Sequence, residues 1–180
     1  GVFAVLCVFC ASLSYVQAQV WRNTESLFGN VIRLYPVWAF IAHNNLGNAY
    51  RLQGKYDKAI EELQKSVDIR PHPRTLSNLG AVYRKLGNFD MAMQQYEKAL
   101  ALSDKSPDAH FGLGIVYAQQ GRYDDAIREY NRTLELSPRY EEAYSNRGAA
   151  ELAQGKKDDA LRSFQQALAI DAANVVARQG

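Results

Sequence analysis

The sequence is short of the residues that enzymes and stapled secreted scaffolds depend on. It has two cysteines, Cys7 and Cys10, and two cannot build a disulfide framework. Their C-x-x-C spacing falls in an apolar stretch with no second pair beside it, so they read as small apolar filler, not metal ligands. There are three histidines, His43, His72 and His110, and none sits in an H-E-x-x-H motif. A glycine-rich phosphate loop and a nucleophile motif are also missing, so neither catalysis nor a cofactor is expected of this segment. Neither sign of charge dominates: 21 Lys and Arg face 19 Asp and Glu, for a net charge of +2. That balance argues against a nucleic-acid partner, which needs clustered positive excess.

What remains is a globular composition. Of 180 residues, 47% are apolar and 22% charged, too apolar a mixture for a disordered chain. The chain opens on Gly1, and Val175, Val176 and Ala177 read as the start of a further helix, so the sequence reads as a piece of something longer.

One register recurs along the chain. Gly47, Gly80, Gly114 and Gly148 follow one another at intervals of 33, 34 and 34 residues. Gly54, Gly87, Gly121 and Gly155 run seven residues behind them, and Ala59, Ala92, Ala126 and Ala160 form a third ladder. Leu63, Tyr96, Tyr130 and Phe164 form a fourth. A period of this length marks stacked supersecondary units. Each unit reads as two antiparallel helices. Leu46, Gly47 and Tyr50 share one face of the first, where Gly47 lets a neighbouring helix approach. Gly54 stops that helix, the second starts near Asp57 and buries Ala59, Leu63 and Ser66 or Val67, and Pro71 ends it.

These ladders resemble the tetratricopeptide repeat, whose pattern runs leucine-glycine, aromatic, glycine, aromatic, alanine, aromatic, alanine, proline at fixed offsets. Residues 40–72 carry Leu46, Gly47, Tyr50, Tyr56, Ala59, Leu63, Ser66 and Pro71; residues 73–106 carry Leu79, Gly80, Tyr83, Phe89, Ala92, Tyr96 and Ala99. Residues 107–140 carry Leu113, Gly114, Tyr117, Tyr123, Ala126, Tyr130 and Pro138. Residues 141–174 keep Gly148, Ala160, Phe164 and Ala167, but Arg147, Glu151 and Lys157 replace a leucine and two aromatics. Arg147 and Glu151, four apart on one helix, are expected to pair. The resemblance implies an all-α fold of antiparallel helix pairs stacked in a right-handed superhelix. Its function would be binding of a protein or an extended peptide along the concave side.

Upstream, residues 21–39 read as a divergent half-repeat, with Trp21, Phe28, Val31, Ile32, Leu34 and Pro36 in register. Residues 1–20 carry no charge, the first being Arg22. Three readings stand: the end of a transmembrane helix, a signal peptide with Val16-Gln17-Ala18 as its cleavage site, or a buried soluble helix. The stretch VWRNTESLF at 20–28 is similar to the junction that precedes the repeats of membrane glycosyltransferases of the O-mannosyltransferase type. That likeness implies an acceptor-binding repeat region, attached to a membrane and placed on its extracytoplasmic side. With no polar capping helix in view, end-to-end self-association is a further expectation.

The binding groove is expected on the first helix of each pair. The residue before each leucine-glycine pair is Asn45, Asn78, Gly112 and Asn146. Repeat proteins of the O-linked N-acetylglucosamine transferase type carry an asparagine ladder there, and a carboxamide offers a donor and an acceptor to any peptide unit. Asn44, Asn48, Arg51, Arg74, Arg84, Lys85, Asp108 and Glu142 complete the candidate lining. The first half is basic and the second acidic, so an acidic segment would be steered to repeats 1 and 2. A clamp for a chaperone's C-terminal carboxylate is disfavoured, because Asn44, Asp108 and Gly112 stand where its basic residues belong. His43 and His110 share one repeat position and are expected to pack. Glu61-Glu62, Asp124-Asp125 and Glu141-Glu142 are expected on solvated faces. The sequon at Asn131 puts Thr133 in a packing position.

Overall fold

The computed structural model describes residues 24–170, and every regular element among them is helical. The expectations for residues 1–20, Trp21 and 175–180 fall outside the described residues. The chain divides into two compact units, one ending at Pro71 and the other beginning at His72.

In the first unit, α1 (Thr24–Leu34) leads through a single 3-10 turn (Pro36–Trp38) to α2 (Ala39–Leu52), which pairs with α3 (Tyr56–Ile69). Gly54 joins the pair with φ of +73°, a left-handed conformation that glycine adopts without strain. Ala42, Leu46 and Tyr50 of α2 bury against Ala59 and Leu63 of α3. The helices meet at Gly47, where an added Cβ would lie 2.6 Å from Leu63 Cγ. The Ser66 hydroxyl, fully buried, donates to the Phe40 carbonyl at 2.7 Å. Val67 is only half-buried, so Ser66 holds that packing position. Leu34, expected on the packed face of α1, is exposed, as are Tyr35, Val37 and Trp38 after it.

The second unit holds three further pairs: α4 (Pro73–Lys85) with α5 (Phe89–Leu102), α6 (Pro107–Gln119) with α7 (Tyr123–Leu136), and α8 (Glu141–Ala153) with α9 (Lys157–Ile170). In addition α5 touches α6 and α7 touches α8, while α4, α6 and α8 lie side by side in that order. The first helices therefore form one layer and the second helices another. Proline opens both α4 and α6, where a missing N–H costs no hydrogen bond. At the α4 entrance the Arg74 N–H also donates to His72 Nδ1 at 3.2 Å. Tyr96, Tyr130 and Phe164 press their rings against Gly80, Gly114 and Gly148, so the glycine and aromatic ladders are two sides of one contact. Thr133, in the sequon, is fully buried and its hydroxyl donates to the Glu129 carbonyl at 2.9 Å.

Candidate functional site

The first-helix layer of the second unit presents residues in rows. Arg74 on α4, Asp108 on α6 and Glu142 on α8 stand thirty-four residues apart in the first turn of adjacent helices, and all three are exposed. One turn further on come Asn78, Gly112 and Asn146, and near the C-terminal end of α4 come Arg84 and Lys85. Asn78 and Asn146 are half-buried, and Asn146 Nδ2 donates to the Glu142 carbonyl at 2.7 Å.

Gly112, which interrupts the asparagine ladder, carries no side chain into this row. It is buried, and a Cβ there would come 2.3 Å from two atoms of the Tyr96 ring. That ring lies between Gly80 and Gly112, so the gap in the asparagine ladder is where α6 accommodates Tyr96. Asn146 coexists with the equivalent Tyr130, so the placement of the Tyr96 ring, not the residue type, excludes a side chain at 112.

Aromatic side chains fill the space beside these rows. The Phe111 ring lies 4.9 Å from that of Tyr140 and 6.0 Å from that of Tyr130, both tilted. The Tyr140 hydroxyl donates to Asp108 Oδ1 at 3.2 Å. Burial, then the charges of Asp108 and Glu142, raise the Tyr140 phenol well above the ordinary range, so it stays a donor at any physiological pH. Pattern reading missed Phe111 and Tyr140 because their counterparts in other repeats, such as Ser77 and Ser106, are small and polar. A large aromatic outside the ladders was the available signal.

Some charges on the repeats are paired locally and others are not. Lys65 reaches Glu61 and Glu62, Arg122 and Arg128 reach Asp125, Arg132 reaches Glu135, and Arg162 reaches Asp159, all within three or four residues. Arg74, Arg84, Lys85, Asp108 and Glu142 enter no ion pair among the described residues, and Arg84 Nε is buried there without a hydrogen-bond acceptor.

On α2 the candidates divide. Asn48 Oδ1 accepts from Arg51 at Nε (3.0 Å) and at a terminal nitrogen (2.8 Å), which ties both to the half-buried surface. Asn45 is half-buried and accepts from Asn44 Nδ2 at 3.2 Å. Asn44 itself is 6% exposed, which removes it from any lining: its position in α2 faces into the packing.

Two polar arrangements tie the helices of a pair together. His43 and His110 do more than pack. Nδ1 of each lies 2.7 Å from a glutamate on the partner helix, Glu62 or Glu129, in both cases nineteen residues on. Glu62 is thus half-buried rather than solvated; burial opposes its charge, but Lys65 and His43 outweigh it and lower its pKa. The second arrangement contains the expected Arg147–Glu151 pair, at 3.5 Å. Arg147 Nε also donates to Ser163 Oγ at 3.0 Å, and Ser163 donates to Glu151 Oε2 at 2.7 Å. A terminal nitrogen of Arg147 donates to Asn131 Oδ1 at 2.7 Å, so one guanidinium links α7, α8 and α9.

The tetratricopeptide repeat profile matches three overlapping windows, residues 38–105, 73–139 and 107–173. This chain belongs to the tetratricopeptide repeat family. Its repeats superpose on a crystal structure of MamA with a TM-score of 0.71 at 26% identity, covering 87% of this chain and 93% of that one. The first tetratricopeptide domain of Spaghetti (RPAP3), bound to the HSP90 peptide SRMEEVD, matches at 26% identity and a TM-score of 0.58, over 59% of this chain and 85% of that one. YrrB, a tetratricopeptide protein with an unusual peptide-binding site, shares the fold at 23% identity and a TM-score of 0.66, over 95% and 87% of the two chains. Among curated proteins no match is found.

The all-α fold of antiparallel helix pairs implied by the tetratricopeptide resemblance is therefore that of this protein. The family profile begins at residue 38, beyond the stretch at 20–28, and these comparisons do not show the glycosyltransferase likeness expected there. Among the described residues, no group of three or more His, Cys, Asp or Glu is arranged to hold a metal, and no helix is long and apolar enough to cross a membrane.

Proposed function

We propose that the chain is a protein-interaction scaffold, with four repeats at 40–72, 73–106, 107–140 and 141–174, that holds an extended peptide across α4, α6 and α8. The observation that carries this reading is the row of exposed charges, Arg74, Asp108 and Glu142, with carboxamides at Asn78 and Asn146 one turn behind. These three charges enter no ion pair with the described residues and are presented outward. A peptide main chain supplies the donor and acceptor that each carboxamide can take. The peptide complex of the RPAP3 domain, a structural neighbour, supports a polypeptide ligand over a small molecule.

The test is selection of a binding peptide from a random library on the full chain, followed by titration against Asn78→Ala/Asn146→Ala. Two peptide hydrogen bonds at about 1 kcal/mol each predict a loss of affinity of about thirtyfold. Undiminished binding by the double variant would remove the role given to the asparagines.

A further inference from the structure

We infer that the α4–α6–α8 face selects a ligand segment of mixed charge, with an acidic residue followed about every three positions by basic ones, and not a uniformly acidic one. The inference rests on the peptide-binding reading above and adds the chemistry of the partner. Arg74, Asp108 and Glu142 form the row + − −, on helices that lie side by side. Arg84 and Lys85 lie at the other end of α4, about 15 Å along its axis from Arg74, and so stand outside this row. No cation of the described residues pairs with Asp108 or Glu142. The hydrogen bond that the Asp108 carboxylate accepts from the Tyr140 hydroxyl leaves its charge intact and fixes its place.

Geometry sets the spacing. Packed helices lie about 8–10 Å apart, and an extended chain advances about 3.3 Å per residue. A strand crossing the row therefore meets a new helix about every three residues. The complementary ligand carries an acid over α4, a base three positions away over α6, and a second base three further over α8. An all-acidic segment would gain at Arg74 and lose at Asp108 and Glu142. Specificity of this kind comes from the repulsive end as much as the attractive one.

The experiment is selection from a random peptide library on the wild-type chain and, in parallel, on Asp108→Lys/Glu142→Lys. A third arm uses Arg74→Glu, an exposed site whose replacement spares the packing. Wild type is expected to enrich peptides with one acid and bases at spacings of about three, in a single charge order. The double variant is expected to enrich acids across the whole segment and to bind the wild-type selectants about tenfold more weakly, from exposed pairs of modest individual worth. Arg74→Glu is expected to lose the leading acid alone. Enriched peptides without charge order, or the same order from wild type and the double variant, would overturn the inference while leaving the peptide-binding face intact. Failure to enrich any peptide on the wild-type chain would overturn both.

Discussion

The Arg147–Glu151 arrangement gives a sharp test of how the fourth repeat is held. Leu46, Leu79 and Leu113 occupy the position of Arg147 in the other repeats, and Tyr50, Tyr83 and Tyr117 that of Glu151. Arg147→Leu removes a charge 3.5 Å from a carboxylate on a residue only 9% exposed. At an effective dielectric of about 20, that separation corresponds to a gross attraction of about 5 kcal/mol. Desolvation offsets much of it, and breaking a buried pair costs about 3–5 kcal/mol. The Arg147 side chain keeps 21% of its exposure, which places the expected loss at or just below the lower end of that range, at about 2–3 kcal/mol. Glu151 would then keep Ser163 as its hydrogen-bond donor, as a buried carboxylate without a cation. The double replacement Arg147→Leu/Glu151→Tyr restores the pattern of the other repeats and should recover at least the stability of wild type, since apolar residues replace buried ion pairs at little or no cost. Urea unfolding of all three chains, followed by circular dichroism, reads both effects. Wild-type stability in Arg147→Leu, or a double variant weaker than the single one, would refute the reasoning.

Gly112→Ala is expected to destabilise by about 1–3 kcal/mol, despite alanine's better helix propensity, because its Cβ meets the Tyr96 ring at 2.3 Å. In a Tyr96→Leu background the same change should become neutral or favourable in urea unfolding, and an equal loss in both backgrounds would contradict the contact. His110 should make stability pH-dependent. Nδ1 faces the Glu129 carboxylate and Nε2 faces the Asp104 carbonyl, two acceptors that together call for the protonated ring. Burial opposes that charge, but the bonds from Glu129 and Asp104 outweigh it and the nearby Arg132, and the pKa is raised. Its contribution is therefore complete below the ordinary histidine pKa and is lost as pH rises through the raised one. The deficit of His110→Gln relative to wild type should be larger at about pH 5.5 than at about pH 8.5, and a pH-independent deficit in urea midpoints would refute the pairing.

The period of the sequence was enough to locate the helices and their packed faces. Glycine at 54, 87, 121 and 155 turns the chain, and Ala59, Leu63, Ala92, Tyr96, Ala126 and Tyr130 are buried, because both follow from helix geometry that every repeat shares. Features peculiar to one repeat were harder to read. Asn44 looks like a groove residue by position, yet the local packing of α2 buries it. The histidine–glutamate pairs are present in the sequence as a spacing of nineteen in two repeats, but Glu62 beside Glu61 has the pattern of a solvated acidic pair. Arg147 and Glu151 were legible because their separation on one helix dictates a meeting, whereas Ser163 and Asn131 join them from other helices, at distances no local spacing encodes. The charged row itself was visible as residue types; that it is left unpaired required the coordinates.

The most direct test of a peptide-holding face is backbone amide chemical-shift mapping on the full chain, titrated with a library-selected peptide. The account predicts that shifts concentrate in α4, α6 and α8, at Arg74, Asn78, Asp108, Glu142 and Asn146, while α5, α7 and α9 change little. Perturbations centred on the second-helix layer, with the Arg74–Asp108–Glu142 row silent, would contradict it.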